Sequence, residues 1–270
     1  MSKLSVEKAG FTDQGKARPN NEDAIWVDPE ISLIIVADGM GGHKAGEVAS
    51  GMAVSTIPAN LKQMIKSRQS GEIFHKEFTG ETNRLGFCLK MANQMIFEAA
   101  RRYPQDSGMG TTCTIAHING DRLSIAHVGD TRCYLIRRGD IEQLTEDHSL
   151  ASEQVRHGLM TREEAEKTSQ NILTRALGIA AEVKIDLDEH PLFPDDILVL
   201  CSDGLNKELT DEQVLKTATE TPEPKALAKK LIDMANAGGG RDNITVAVAR
   251  IGKAGFGDTI KGFFKSIFGA

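Results

Sequence analysis

Seven short runs rich in Val, Ile and Leu punctuate this 270-residue chain, and an aspartate stands at the end of five of them. The runs are AIWV (24–27), SLIIVAD (32–38), TTCTIAHI (111–118), RLSIAHVG (122–129), RCYLI (132–136), DILVLCS (196–202) and NITVAVARI (243–251). Apolar stretches this short, bounded by Gly, Asn and Asp, read as strands. HINGDRL carries an Asn-Gly-Asp turn between two of them, and IRRGDIEQL is a second hairpin pattern. Between the strands, residues 43–66, 82–102, 148–168 and 224–237 show helical spacing, and LTDEQV at 209–214 has a threonine cap followed by early acids. Hairpins and long helices in separate blocks predict an α+β fold rather than alternating βαβ units. The polar stretch 67–82 reads as a mobile insertion.

The aspartates are Asp23, Asp38, Asp130, Asp203 and Asp242. A single Asp-Gly, such as Asp38-Gly39 or Asp203-Gly204, is ordinarily turn chemistry. Five acids held at strand ends are another matter, because they meet in one cleft if those ends share an edge of the core. Clustered carboxylates cannot all ionise without cations. An all-oxygen set with no Cys or His ligand suits Mg²⁺ or Mn²⁺ better than zinc. Gly39, lacking a Cβ, would let its backbone carbonyl approach a metal. Two such ions can share one water, lower its pKa and aim it at phosphorus. A clamp for the phosphate is available in Arg18, whose guanidinium fork matches two phosphate oxygens, although a solvated surface arginine fits the spacing equally.

Other chemistries fit less well. DGMGGHKAGE lacks the G-x-x-x-x-G-K-[ST] pattern of a nucleotide P-loop. His43 reads either as a helix-opening surface histidine or as a proton donor to a leaving group, and His148 as a structural hydrogen-bonding residue. A net charge of −6 without a long Lys/Arg block argues against a nucleic-acid partner. Cys88, Cys113, Cys133 and Cys201 are widely spaced, as buried free thiols would be, and form no C-x-x-C pair. MSKLSVEKAG has no signal-peptide core and no apolar run reaches spanning length, so a reducing cytoplasm is the expected compartment.

RPNNEDA, VADGMGGH, GMGTTCTIA, AHVGDTRCYLI, LTEDHS, ILTRALG, LVLCSDGL and GGRDNITVAV follow one another over roughly residues 5–251. In that order they resemble the metal-dependent type 2C (PPM) Ser/Thr protein phosphatases, especially the short bacterial members. The resemblance implies a four-layer α-β-β-α sandwich of two antiparallel sheets flanked by helices, with residues 1–252 as the catalytic domain and 148–172 as a flap. It implies two core Mn²⁺ or Mg²⁺ ions on Asp38, the Gly39 carbonyl, Asp203 and Asp242, with Asp38 bridging both. Asp130, together with Asp203, would help to hold a third, weaker ion. Asp23 and Glu22 would support the metals through bound water, and Arg18 would bind the substrate phosphate. The implied reaction is direct attack of a metal-bridging water on phosphoserine or phosphothreonine, opposing a bacterial Ser/Thr kinase. Where eukaryotic members carry histidine after the Asp-Gly, this chain has Met40. The leaving-group acid is therefore open between His43, a metal-bound water near Asp130 and bulk water, with the metal-bound water favoured.

Residues 253–270 lie beyond the family core. Ile260, Phe263, Phe264, Ile267 and Phe268 share one helical face, with Lys261 and Lys265 off it. Such a tail either docks on the body as a helix or contacts a membrane surface or a partner protein's groove. A monomer is expected. Two other readings are weighed: a pseudophosphatase that only binds phosphorylated partners, which would have lost ligand aspartates, and a hydrolase of small phosphate esters.

Overall fold

The structure is a computed structural model and describes residues 4–41, 45–67, 75–103, 106–161, 164–165 and 172–253. The described strands are β1 (Leu4–Asp13), β2 (Asp23–Val27), β3 (Leu33–Met40), β4 (Gly110–Thr111), β5 (Cys113–Asn119), β6 (Arg122–Val128), β7 (Arg132–Arg137), β8 (Asp140–Gln143), β9 (Asp186–Pro191), β10 (Ile197–Cys201) and β11 (Ile244–Lys253). The helices are α1 (Ala45–Ser67), α2 (Gly80–Arg102), α3 (Leu150–Arg156), α4 (Asp203–Asn206), α5 (Asp211–Glu220) and α6 (Pro224–Gly238). One antiparallel sheet runs β1-β11-β10-β7-β8. The other runs β2-β3-β5-β6-β9, with β4 pairing β3.

Period-two alternation of the side chains builds four layers from these strands. On β3, Leu33, Ile35 and Ala37 join Ile57, Leu61, Leu85 and Leu89 in a core under α1 and α2. Ile34 and Val36 point the other way, into an inter-sheet core with Leu198, Leu200, Ala247 and Ala249. The opposite faces of β10 and β11, through Val199, Val246 and Val248, pack on Val214, Leu227 and Leu231 of α5 and α6. The expected α-β-β-α sandwich is thus present. Central strands that are buried on both faces show no polar alternation, which is why they read as plain apolar runs.

Local chemistry sets the element ends. Both expected hairpins form: Asn119 pairs with Arg122, and Arg137 pairs with Asp140, each across a two-residue connection. Thr79 caps α2, and Glu189 of β9 accepts hydrogen bonds from the Thr79 and Thr82 hydroxyls at 2.5 and 2.6 Å, tying that helix start to the sheet edge. Thr210 and Gln213 form a reciprocal capping box on α5.

The structure differs from the sequence reading in four places. β1 and β9 were absent from the expected strands, because both flank a sheet and carry polar residues such as Glu7, Lys8, Asp186 and Glu189 among few apolar ones. Of the helix expected over 148–168, Leu150–Arg156 forms α3, which buries none of its residues; 157–161 are not helical, 164–165 are helical again, and 162–163 and 166–168 lie outside the described residues. Of the insertion expected at 67–82, residues 80–82 belong to α2, and 68–74 lie outside the described residues. The helix expected over 43–66 runs on to Ser67 as α1, Ala45–Ser67, and residues 43 and 44 lie outside the described residues.

Candidate metal centre and active site

The side-chain direction that fills the inter-sheet core also aims the acids. Asp38 continues the Ile34–Val36 face of β3, and Asp23 continues the Ile25–Val27 face of β2 directly opposite it in register. On the facing sheet, Asp203 follows β10 and Asp242 precedes β11, the strand paired with β10. Asp130 follows β6. One carboxylate oxygen from each of Asp38, Asp130 and Asp203 lies within 4.8 Å of the others. Asp23, buried beside them, accepts hydrogen bonds from the Ser202 and Thr245 hydroxyls at 2.6 and 2.7 Å through Oδ2.

The Asp-Gly pairs are close-approach sites rather than turns. A Cβ on Gly39 would lie 2.2 Å from the Gly46 carbonyl oxygen and 2.5 Å from that of Glu22, and one on Gly204 would lie 1.9 Å from the Asn243 oxygen. Neither glycine has a left-handed φ. The chain is therefore drawn tightly together at each metal-end strand terminus. Glu22 sits in this packing: its carbonyl accepts from the Gly39 N–H and the Ser50 hydroxyl, and its N–H donates to Asn243 Oδ1. Thr111 and Thr112 hold the Asp38 backbone, since the Thr111 hydroxyl donates to its carbonyl and the Asp38 N–H donates to Thr112 Oγ1.

Electrostatics mark the cluster as built for cations. Burial pushes Asp23 up to about 7, against the pull of its two hydroxyl donors and with help from Asp203 and Asp242. Burial first, and then Asp203 and Asp147, push Asp130 up to about 7 as well. Asp38 is raised well above the carboxylate range by burial and by the four neighbouring aspartates. Burial also raises Asp203, although Lys207 opposes it. For Asp242 burial acts upward but is outweighed by hydrogen bonds from Arg18 and Lys207, so its carboxyl sits below the usual range. Asp23 Oδ1 is buried without a hydrogen-bond partner. An orphaned carboxylate oxygen and a set of hard oxygen donors both fit divalent cations and their water.

Arg18 reaches the rim of the cluster and grips Asp242 with both arms of its fork, Nε at 2.7 Å and Nη2 at 2.9 Å. Its side chain is half exposed, at 53%. The loop carrying it is held by Asn243, whose Nδ2 donates to the carbonyls of Gln14 and Asn20. His148 is buried, accepts the Gly129 N–H on Nδ1 and pairs through Nε2 with Asp186, next to Arg175. It braces the turn leading to Asp130, as a structural histidine should. His43 lies outside the described residues.

Four contributors were missed in the sequence reading. Ser202 and Thr245 orient Asp23, Asn243 ties the β1–β2 loop to the start of β11, and Lys207 lies 2.5 Å from Asp203 and 2.7 Å from Asp242. Ser202 and Asn243 adjoin Asp203 and Asp242 in sequence, which was a usable signal. Lys207 was detectable only as a cation four residues after Asp203 on a helix.

The model of the family described as protein phosphatase 2C matches residues 16–236. This chain belongs to the protein phosphatase 2C family. Within that family it is 35% identical over 256 residues to the serine/threonine protein phosphatase PstP of Mycobacterium tuberculosis, covering 95% of this chain and 47% of the relative. The chain thus spans about half the length of that relative. It is 39% identical over 242 residues to the serine/threonine phosphatase stp of Listeria innocua, covering 87% and 92% of the two chains. The crystal structure of a PstP catalytic domain in complex with two manganese ions superposes with a TM-score of 0.78 at 35% identity, covering 92% of this chain and 99% of that one. The phosphatase 2C fold and the aspartate-lined end of its sandwich therefore stand together in this molecule.

Proposed function

We propose that this chain is a metal-dependent Ser/Thr phosphoprotein phosphatase, a phosphoric monoester hydrolase. The observation that carries the reading is the convergence of Asp38, Asp130 and Asp203 within 4.8 Å at the mouth of a phosphatase 2C sandwich, with Asp23, Asp242 and Arg18 around them. Asp38, the Gly39 carbonyl, Asp203 and Asp242 would hold two Mn²⁺ or Mg²⁺ ions, Asp130 with Asp203 would hold a third, and Asp23 and Glu22 would act through water. Bound, the ions supply Lewis acidity and a lowered pKa for water.

The chain's own residues do the rest. Asp23 is anchored by Ser202 and Thr245, and Asp38 by Thr111 and Thr112, so the donors are rigid before any ion arrives. Arg18 pairs with Asp242 here, and its exposed fork is in reach of a phosphate that competes for it. No thiol is poised as a rival nucleophile. Cys201, directly beside Ser202 and Asp203, is fully buried and pushed up to about 12 by that burial. Proton delivery to the leaving alkoxide is assigned to water that a metal ion would hold near Asp130, with His43 and bulk water as the alternatives.

Residues 1–252 form the catalytic unit in this reading, 148–172 its substrate-facing flap, and 253–270 a tail that meets a membrane surface or a protein partner. Phosphorylated proteins are the substrates, a Ser/Thr kinase is the functional counterpart, and the unit acts as a monomer in the cytoplasm. Among the described residues no helix is long and apolar enough to cross a membrane. The test is release of phosphate from a phosphothreonine peptide by wild type and Asp38→Ala, with Mn²⁺ and with chelator. Metal-dependent turnover lost in the variant is the expected result. A folded, metal-loaded wild type without turnover would overturn the proposal.

A further inference from the structure

Lys207 caps α4, the four-residue helix that starts at Asp203. Its backbone is pinned on both sides: its N–H donates to the Asp203 carbonyl, and its own carbonyl accepts from Arg241 Nη2 at 2.8 Å. Arg241 is itself locked to the Glu208 carboxylate at 2.8 Å. Held this way, the largely buried side chain runs back along the helix, and its ammonium bridges Asp203 Oδ2 at 2.5 Å and Asp242 Oδ2 at 2.7 Å. Those two carboxylates come from adjacent strands and would repel each other without a cation between them.

We propose that Lys207 is a tethered counter-cation of the aspartate cluster, holding Asp203 and Asp242 together without metal and competing with divalent ions for the same oxygens. The inference rests on the metal-binding reading above. An incoming ion must displace the ammonium from at least one carboxylate oxygen, so metal loading is an exchange of cations rather than simple filling. Two consequences follow: the metal-free phosphatase stays folded, and the free metal concentration needed to load it is set upward by this one side chain. The neighbouring Arg18 shares Asp242 but leaves Asp203 to Lys207.

The experiment is calorimetric titration of Mn²⁺ into chelator-stripped wild type, Lys207→Met and Lys207→Arg, with thermal melts of each protein in chelator and in saturating Mn²⁺. Methionine keeps the apolar stem and removes the charge. Lys207→Met is expected to bind Mn²⁺ about tenfold more tightly, or ~1.4 kcal/mol. In chelator it should melt lower by about 2–4 °C, and the deficit should shrink when Mn²⁺ is saturating. Lys207→Arg, which keeps the charge, should bind like wild type. A Lys207→Met protein that binds Mn²⁺ no more tightly than wild type would overturn the proposal, as would equal tightening in both variants. A purely structural lysine would lower the melting temperature equally with and without metal. Lys207→Gln replaces Lys207→Met if the latter fails to fold. A wild type that takes up no Mn²⁺ at all overturns the metal-binding reading, and this inference with it.

Discussion

Two alanine substitutions at glycines should have opposite signs, because one site has no room for a methyl group and the other has only solvent. In Gly204→Ala the new Cβ would sit 1.9 Å from the Asn243 carbonyl oxygen and 2.9 Å from its carbon, so the β10–β11 ends must part by more than an ångström. Backbone cannot rotate away as a flexible side chain would. Asn243 is also the residue that anchors Glu22, Gln14 and Asn20. Overpacking of this kind costs about 1–3 kcal/mol, which for a domain this size is a fall in melting temperature of roughly 2–12 °C. Asp203 and Asp242 flank the clash, so Mn²⁺ affinity should fall as well. Gly51, inside α1, has nothing within 4 Å of its added Cβ. There alanine gains about 0.5–1 kcal/mol from helix propensity, a rise of roughly 1–4 °C. Differential scanning fluorimetry with Mn²⁺ and with chelator reads both. If Gly204→Ala melted within about 2 °C of wild type and bound Mn²⁺ normally, the close-packing account of the Asp-Gly pairs would be refuted.

Arg18→Ala should lower kcat/KM for a phosphothreonine peptide by about 10–100-fold while the fold is retained, and an unchanged value would remove Arg18 from phosphate binding. His148→Ala strands the Gly129 N–H and leaves Asp186 with Arg175, and should cost about 2 kcal/mol in urea unfolding. Asp28 accepts from Lys62, Trp26 and the Glu30 and Ile31 N–H groups; burial raises it, but these donors win and hold it at about 2. Its folded pKa is depressed, so its stabilisation is complete above the unfolded value near 4 and is lost as pH falls towards 2. Asp28→Asn should therefore be about 1–2 kcal/mol less stable at pH 7, a gap that closes between about pH 4 and pH 2; a constant gap would contradict the assignment.

Much of this molecule is legible along the chain because its information there is local. The apolar runs, both hairpin turns, the Thr210 cap and the placement of aspartates at strand ends follow from side-chain size, φ preference and the strand period. Even the chemistry of the site was readable, since an oxygen-only set of acids limits the cations it can hold. Edge strands escaped: β9 is mostly acids and a histidine, and its strand state comes from pairing with β6, not from its own pattern.

What the tertiary structure alone decided is which acids meet. Asp23 receives its hydroxyl donors from residues 179 and 222 positions away, because the two sheets stack with their metal ends aligned. The glycine of each Asp-Gly pair turned out to be demanded by neighbouring carbonyls, not by a turn: Gly46 and Glu22 crowd Gly39, and Asn243 crowds Gly204 only after β10 and β11 are paired. Lys207 is the clearest case. Four residues of helix carry it back over Asp203, but only the pairing of β10 with β11 brings Asp242 to the same ammonium. Sequence determines what each residue can offer; the stacking of two sheets determines which offers coincide within the few ångströms over which charge and hydrogen bonding act.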